Sequence, residues 1–151
     1  MLFAGLPKRK RPAIVWAETD IDDSIGTSLT NTAKPYYTKG KIIAYLGGSS
    51  AHLPRGYHWD GASVPRLFWT LLGISPSDPR SLIASAFHDA GCENPNTPQV
   101  VADALFVALL KPIRFNNHRI KGVGWLRATL MYMAVRAYSI FGRPVARWFS
   151  K

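Results

Sequence analysis

One carboxylate, Asp103, stands in the middle of an apolar run, VVADALFVALL, that reaches from Val100 to Leu110. A segment this uniformly apolar reads as a helix enclosed on nearly every side by other elements. An ionised carboxylate buried there without a partner is costly and would take up a proton rather than keep its charge. The fold must therefore bring Asp103 a cation, a histidine or several donors. That requirement constrains how the flanking elements pack.

The preceding helix offers one such partner. Ser77-Asp78-Pro79 combines an N-cap, an acid for the first turn and a proline, and predicts a helix over 77–90 that stops at Gly91. On a helical wheel Leu82, Ile83, Ala86 and Phe87 form the core stripe. His88 falls opposite, beside Ser81, Ala84 and Ser85, which would leave room for water or substrate, and Asp89 sits at the boundary. Thr97-Pro98 opens the next helix after a short connection at 92–96, so the two helices should be antiparallel neighbours. Asp103 then faces the His88 end. A structural ion pair between Asp103 and Arg66 is the alternative.

Arg66 closes a third group, Trp59-Asp60-Gly61-Ala62-Ser63-Val64-Pro65-Arg66. Asp60-Gly61 suits a tight turn, and Ser63 suits the cap of a short helix over 64–72 with proline in its first turn. Turn and cap account for Gly61, Ser63 and Pro65. Asp60 remains as a metal candidate, while Arg66, Ser63 and Trp59 are candidates for binding an anion or substrate.

The expected class is α+β: an irregular β-rich N-terminal third followed by a small bundle of three to four antiparallel helices. Residues 1–12 read as a basic flexible arm and 13–151 as a single domain, with a β-rich part at 13–60 and a helical part at 64–151. Strands are expected at 13–16 and 41–46, with a loop or weak hairpin at 20–40 between them. The 47–50 run should turn the chain, and 53–59 should add a short strand. Later helices are expected at 97–110 and 123–141, with a last turn at 144–149. The 122–142 stretch is apolar enough to suggest a membrane span. Arg127 and Arg136 within it favour a bundle helix instead.

The formal net charge is +10, and all nine acids lie at or before Asp103. A C-terminal third carrying only basic charge equally suits a solvated basic face that aids solubility or an anionic surface: a membrane, a cell-wall polymer or virion proteins. Arg127, Arg143, Arg147 and Trp148 are the residues expected to face it. Sequence-specific DNA reading is not supported, because neither zinc-finger spacing nor a helix-turn-helix pattern is present. The single cysteine, Cys92, excludes an intrachain disulfide framework. It follows the expected helix end, where the dipole opposes a thiolate, so a nucleophilic role for it carries little weight. The N-terminus has its apolar residues before its charges, the reverse of a secretory signal, which implies synthesis in the cytoplasm.

The order Trp59-Asp-Gly-Ala-Ser-Val-Pro-Arg66, then Ala86-Phe-His-Asp89, then Ala102-Asp-Ala-Leu-Phe106 resembles domain-of-unknown-function family 1353, with Met131-Tyr132 and Val135-Arg136 as counterparts of a later helix. The resemblance implies a phage or prophage setting, hence a host-cytoplasmic origin and a destination in the virion or at the host membrane. A second, weaker resemblance is to phospholipase A2, which places His-Asp on one helix and an aspartate on an antiparallel one. It implies His88 as general base, Asp103 as its orienter and Asp89 as a calcium ligand. The chain departs from that family at Cys92, where a tyrosine is usual, and lacks its Gly-rich calcium loop. Two functions follow as expectations: a small hydrolase of cell-envelope lipid or wall material used as a phage enters or lyses its cell, and a non-catalytic virion, tail or assembly protein whose His/Asp/Arg cluster is structural.

Overall fold

The computed structural model describes residues 13–46, 48–61, 73, 75 and 78–137. The basic arm, the 64–72 helix, the 144–149 turn, and with them Ser63, Arg66, Arg143, Arg147 and Trp148, lie outside the described residues.

Strands β1 (Ile14–Ala17), β2 (Ile25–Thr27), β3 (Tyr36–Thr38), β4 (Ile42–Leu46), β5 (Ser49–Leu53) and β6 (His58–Trp59) precede helices α1 (Pro79–Glu93) and α2 (Gln99–Leu110). Strands β7 (Ile113–Phe115) and β8 (His118–Ile120) follow, and then helix α3 (Trp125–Ala137). The class is thus mixed α+β, a β-rich N-terminal part followed by helices, with three α-helices among the described residues. None of them is long and apolar enough to cross a membrane.

The main sheet has the order β5-β4-β1-β7-β8, and β2-β3-β6 form a smaller one. β1 reads IVWA and alternates faces: Val15 and Ala17 are buried while Ile14 and Trp16 are exposed. Val15, Ala44, Leu53 and Phe115 from the sheet join Ile83, Phe87, Leu105 and Leu109 from the helices in one core. Strands β1 and β7 pair parallel, and the chain between them runs through β2–β6 and then helices α1 and α2.

Several boundaries differ from the sequence reading. The chain turns between Leu46 and Ser49, within the expected 47–50 run, but Ser49 and Ser50 already belong to β5 at 49–53, and the expected strand at 53–59 contracts to the two residues of β6. Asp78 is the N-cap of α1, its carboxylate accepting from the Arg80 amide. Pro98, without a side-chain cap, precedes α2. The hairpin β7–β8 was not expected at all. It turns on Asn116 and Asn117, both at positive φ (44° and 69°). Asn-Asn between IRF and HRI is a primed-turn signal that could have revealed it. Asn116 also docks the hairpin, accepting from the Ala17 amide (2.8 Å) and donating to the Ala17 and Thr19 carbonyls (3.0 and 3.1 Å).

Gly91 does not end α1. The helix runs on to Glu93, and the glycine packs on α2, where an added Cβ would stand 2.9 Å from Ala102 Cβ. The expected open face around Ser81, Ala84 and Ser85 is also absent, because all three are buried against the rest of the molecule.

Candidate functional site

The pairs Cys92–Gln99, Gly91–Ala102 and His88–Asp103 run in opposite chain directions, so α1 and α2 lie antiparallel along this contact. The glycine's missing side chain permits the close approach, and the close approach lets short side chains meet. His88 Nε2 lies 2.9 Å from Asp103 Oδ1. Asp103 is 0% exposed.

Two further donors complete that carboxylate. Gln99, one turn before Asp103 on α2, donates to Oδ1 at 3.1 Å, and Arg136 of α3 donates to Oδ2 at 3.0 Å. The buried acid therefore joins α1, α2 and α3 at one point. The sequence marks Arg136 as a family counterpart and as a charge against a membrane span, not as a partner of Asp103. Its role is visible once α3 packs on α2, and the separation of 33 residues gives no local signal.

Outward from Asp103, the other ring nitrogen of His88 lies 3.4 Å from Asp89 Oδ1, and the ring edge packs on Phe106. The His88 side chain is 13% exposed. Burial lowers the affinity of the imidazole for its proton, but Asp103, Asp89 and Cys92 together outweigh burial and push it up to about 11. Burial opposes ionisation of Asp103 as well, yet His88, Gln99 and Arg136 hold it below the usual carboxylate range. Both shifts act in the same direction, favouring an imidazolium paired with a carboxylate over a neutral imidazole beside a neutral acid.

Asp89 is pushed the other way, above the usual range, first by burial and also by Asp60, with which it shares a side-chain hydrogen bond. A hydrogen bond between two carboxyls needs a proton on one of them. Asp60 itself is exposed. At the same rim Glu93 accepts from the Tyr57 hydroxyl (3.0 Å) and from Lys34 (2.7 Å), tying the end of α1 to the small sheet. Among the described residues no group of three or more His, Cys, Asp or Glu side chains is arranged to hold a metal ion.

Trp59, expected at a binding surface, is 1% exposed, and its indole N–H donates to Ser85 Oγ at 3.0 Å. Its ring stacks near Tyr57 and Tyr36. It is placed as a core residue under the site. Arg127 is exposed on α3, beside an apolar strip of Trp125, Leu126, Leu130 and Met133 that is also exposed. Cys92, set aside at the sequence level, lies within the last turn of α1 against His88.

The profile of a family described as "Protein of unknown function (DUF1353)" matches residues 42–135, a span that contains His88, Asp89, Cys92, Gln99 and Asp103 and ends one residue before Arg136. A Sinorhizobium fredii protein, described as uncharacterized protein y4jT, is 33% identical over 86 residues, covering 57% of this chain and 23% of that protein. The chain thus spans less than a quarter of the length of that relative. No solved structure matches the chain.

Proposed function

This chain belongs to the DUF1353 family, and because that family has no described function we propose one from the site itself: a small hydrolase with His88 as the proton-transfer group and Asp103 as its positioning residue. The observation that carries the reading is the 2.9 Å contact between His88 Nε2 and a fully buried carboxylate. A buried acid that fixes one ring nitrogen sets the orientation of the other, which here faces the partly exposed rim. Substrate that displaces Asp89 from that nitrogen would meet an imidazolium able to protonate a leaving group. Once neutral, the same ring can take a proton from water.

We further propose ester-bearing cell-envelope lipid or wall material as substrate and a phage or prophage setting. The support is chemical. The C-terminal third carries only basic charge, and the apolar strip beginning at Trp125 (75% exposed) lies beside Arg127, a combination that favours an anionic surface. Calcium binds through six to eight oxygens, and Asp60 and Asp89 alone fall well short of that set. No step of the proposal runs through a metal.

A second reading has its own observation. Asp103 is saturated by three partners from three helices, as a structural lock would be, and a virion or assembly role needs nothing more. One experiment separates the two. Purified protein is incubated with phosphatidylglycerol vesicles, chromogenic esters and peptidoglycan, and released products are measured. The hydrolase reading expects turnover that falls about 10²–10⁴-fold in His88→Gln, measured at a temperature where the variant is still fully folded. No turnover on any substrate, with His88→Gln and Asp103→Asn acting only on stability, would leave the structural lock.

A further inference from the structure

Cys92 is the one nucleophilic side chain in the cluster to which the proposed reaction gives no task. Its Sγ lies 3.7 Å from His88 Nε2 and 4.0 Å from Nδ1. Near equidistance from both nitrogens means that the sulfur sees the charge of the ring without displacing Asp103 or Asp89 from their own nitrogens. Gln99 Nε2 donates to Sγ at 3.1 Å and to Asp103 Oδ1 at 3.1 Å, one amide serving both acceptors. The thiol is half-buried, so reagents can reach it.

These contacts reverse the balance inferred from the sequence. The C-terminal dipole of α1 places a fraction of a charge near the thiol, spread over several carbonyls. A protonated His88 would place a whole charge at 3.7 Å. Next to it stands a nucleophile, a proton carrier and a buried acid in sequence, the arrangement that activates a cysteine.

We propose that Cys92 is a thiolate nucleophile paired with the His88 imidazolium, and that acyl esters are cleaved through a thioester at its sulfur. The proposal rests on the hydrolase reading for its substrate, but not for the state of the thiol. In the first step the thiolate attacks the ester carbonyl. The carbon–sulfur bond forms, the carbon–oxygen bond to the alcohol breaks, and the leaving alkoxide takes a proton from His88. In the second step water attacks the thioester and gives a proton to the now neutral His88. The carbon–sulfur bond breaks, thiolate and imidazolium are restored, and the carboxylic acid product loses its proton to solvent.

Because the chain has one cysteine, alkylation of the intact protein reports on Cys92 alone. The iodoacetamide rate is measured against pH for wild type and His88→Gln, and the adduct left by p-nitrophenyl acetate is weighed by mass spectrometry. The expected result is a wild-type midpoint below about 7, moved towards the free-thiol value of about 8.5 in His88→Gln. One acetyl group per chain should appear, removable by hydroxylamine and absent from Cys92→Ala. A midpoint near about 8.5 that His88→Gln leaves in place overturns the proposal. Full turnover by Cys92→Ala also overturns it, while leaving a hydrolase in which His88 acts directly on water. A low midpoint and a stoichiometric adduct without turnover on any substrate upholds the nucleophile and removes the hydrolase.

Discussion

Gly91 and Ala102 face each other across α1 and α2 so closely that a Cβ on the glycine would stand 2.9 Å from the Cβ of the alanine, and 3.5 Å from its Cα. In an exposed helix Gly→Ala would stabilise by up to about 1 kcal/mol. Here backbone must move. Gly91→Ala is therefore expected to destabilise by about 1–3 kcal/mol, as overpacking does. The double variant Gly91→Ala/Ala102→Gly should recover much of that loss. Urea denaturation of the three proteins checks it. A stabilised Gly91→Ala would mean that the helices are not in contact there.

The same spacing fixes the charge network, whose members should not be equivalent. Asp103 is fully buried between His88, Gln99 and Arg136, and its removal leaves cations facing one another. Asp103→Ala should cost about 3–5 kcal/mol. The Arg136 side chain is 35% exposed, and without it Asp103 keeps two partners, so Arg136→Met should cost less than half as much. Equal losses in chemical denaturation would contradict the geometry.

Protonation gives a signed test. The folded-state affinity of His88 is raised to about 11 from an unfolded value of about 6.5. Its stabilisation is thus complete below about pH 6.5 and declines as pH rises towards the folded value. Asp89, raised as well, acts in the same direction from about pH 3.9 upward. Asp103, lowered, acts in the opposite one: its contribution is held above about pH 3.9 and lost in acid. Wild type should lose stability between pH 6.5 and 9 relative to His88→Gln, measured as about the difference in urea midpoint across that window. The imidazole nitrogen shifts of His88 should still report imidazolium at about pH 8. A neutral ring at that pH would remove the ion-pair description.

Much of this cluster was legible because each part has a local cause. Asp103 in an apolar helix demanded a partner, and a short connection after α1 put His88 within reach. The strands at β1 and β4 were legible from β-branched and aromatic content, and the start of α1 from Asp78-Pro79. What was not legible depends on packing between distant segments. Arg136 reaches Asp103 only through the seating of α3. Gly91 looked like a helix stop, because a glycine needed for close approach and a glycine needed for a turn are the same letter. Cys92 looked inert for a related reason: extending α1 to Glu93 places the thiol one turn above His88, inside the helix rather than past its end.

Ser81 Oγ is fully buried and, among the described residues, is the buried side-chain oxygen without a hydrogen-bond partner. A hydroxyl desolvated without a bond opposes folding by about 1–3 kcal/mol. Alanine removes it at almost the same volume and favours the helix slightly. Ser81→Ala should therefore be neutral or raise stability by up to about 1 kcal/mol, read as the melting temperature. A clear loss of stability would show that the hydroxyl is bonded in solution, to water for instance.

The last expectation concerns the hairpin that the sequence concealed. Asn116 holds an uncommon φ of 44° and makes three hydrogen bonds from its side-chain amide to the backbone of Ala17 and Thr19. Asn117, at φ 69°, supplies the left-handed turn. Asn116→Ala loses both the bonds and a residue suited to that conformation, and should destabilise by about 2–4 kcal/mol. Asn117→Gly keeps the conformation without a side-chain penalty and should stay within about 0.5 kcal/mol of wild type. Hydrogen exchange at the Arg114 amide, which donates to the Ala13 carbonyl at 2.9 Å, tells which link failed. If Asn116 docks the hairpin on β1, exchange there accelerates in Asn116→Ala and not in Asn117→Gly. Equal protection in both variants would mean that β7 is held by its core residues Ile113 and Phe115 alone.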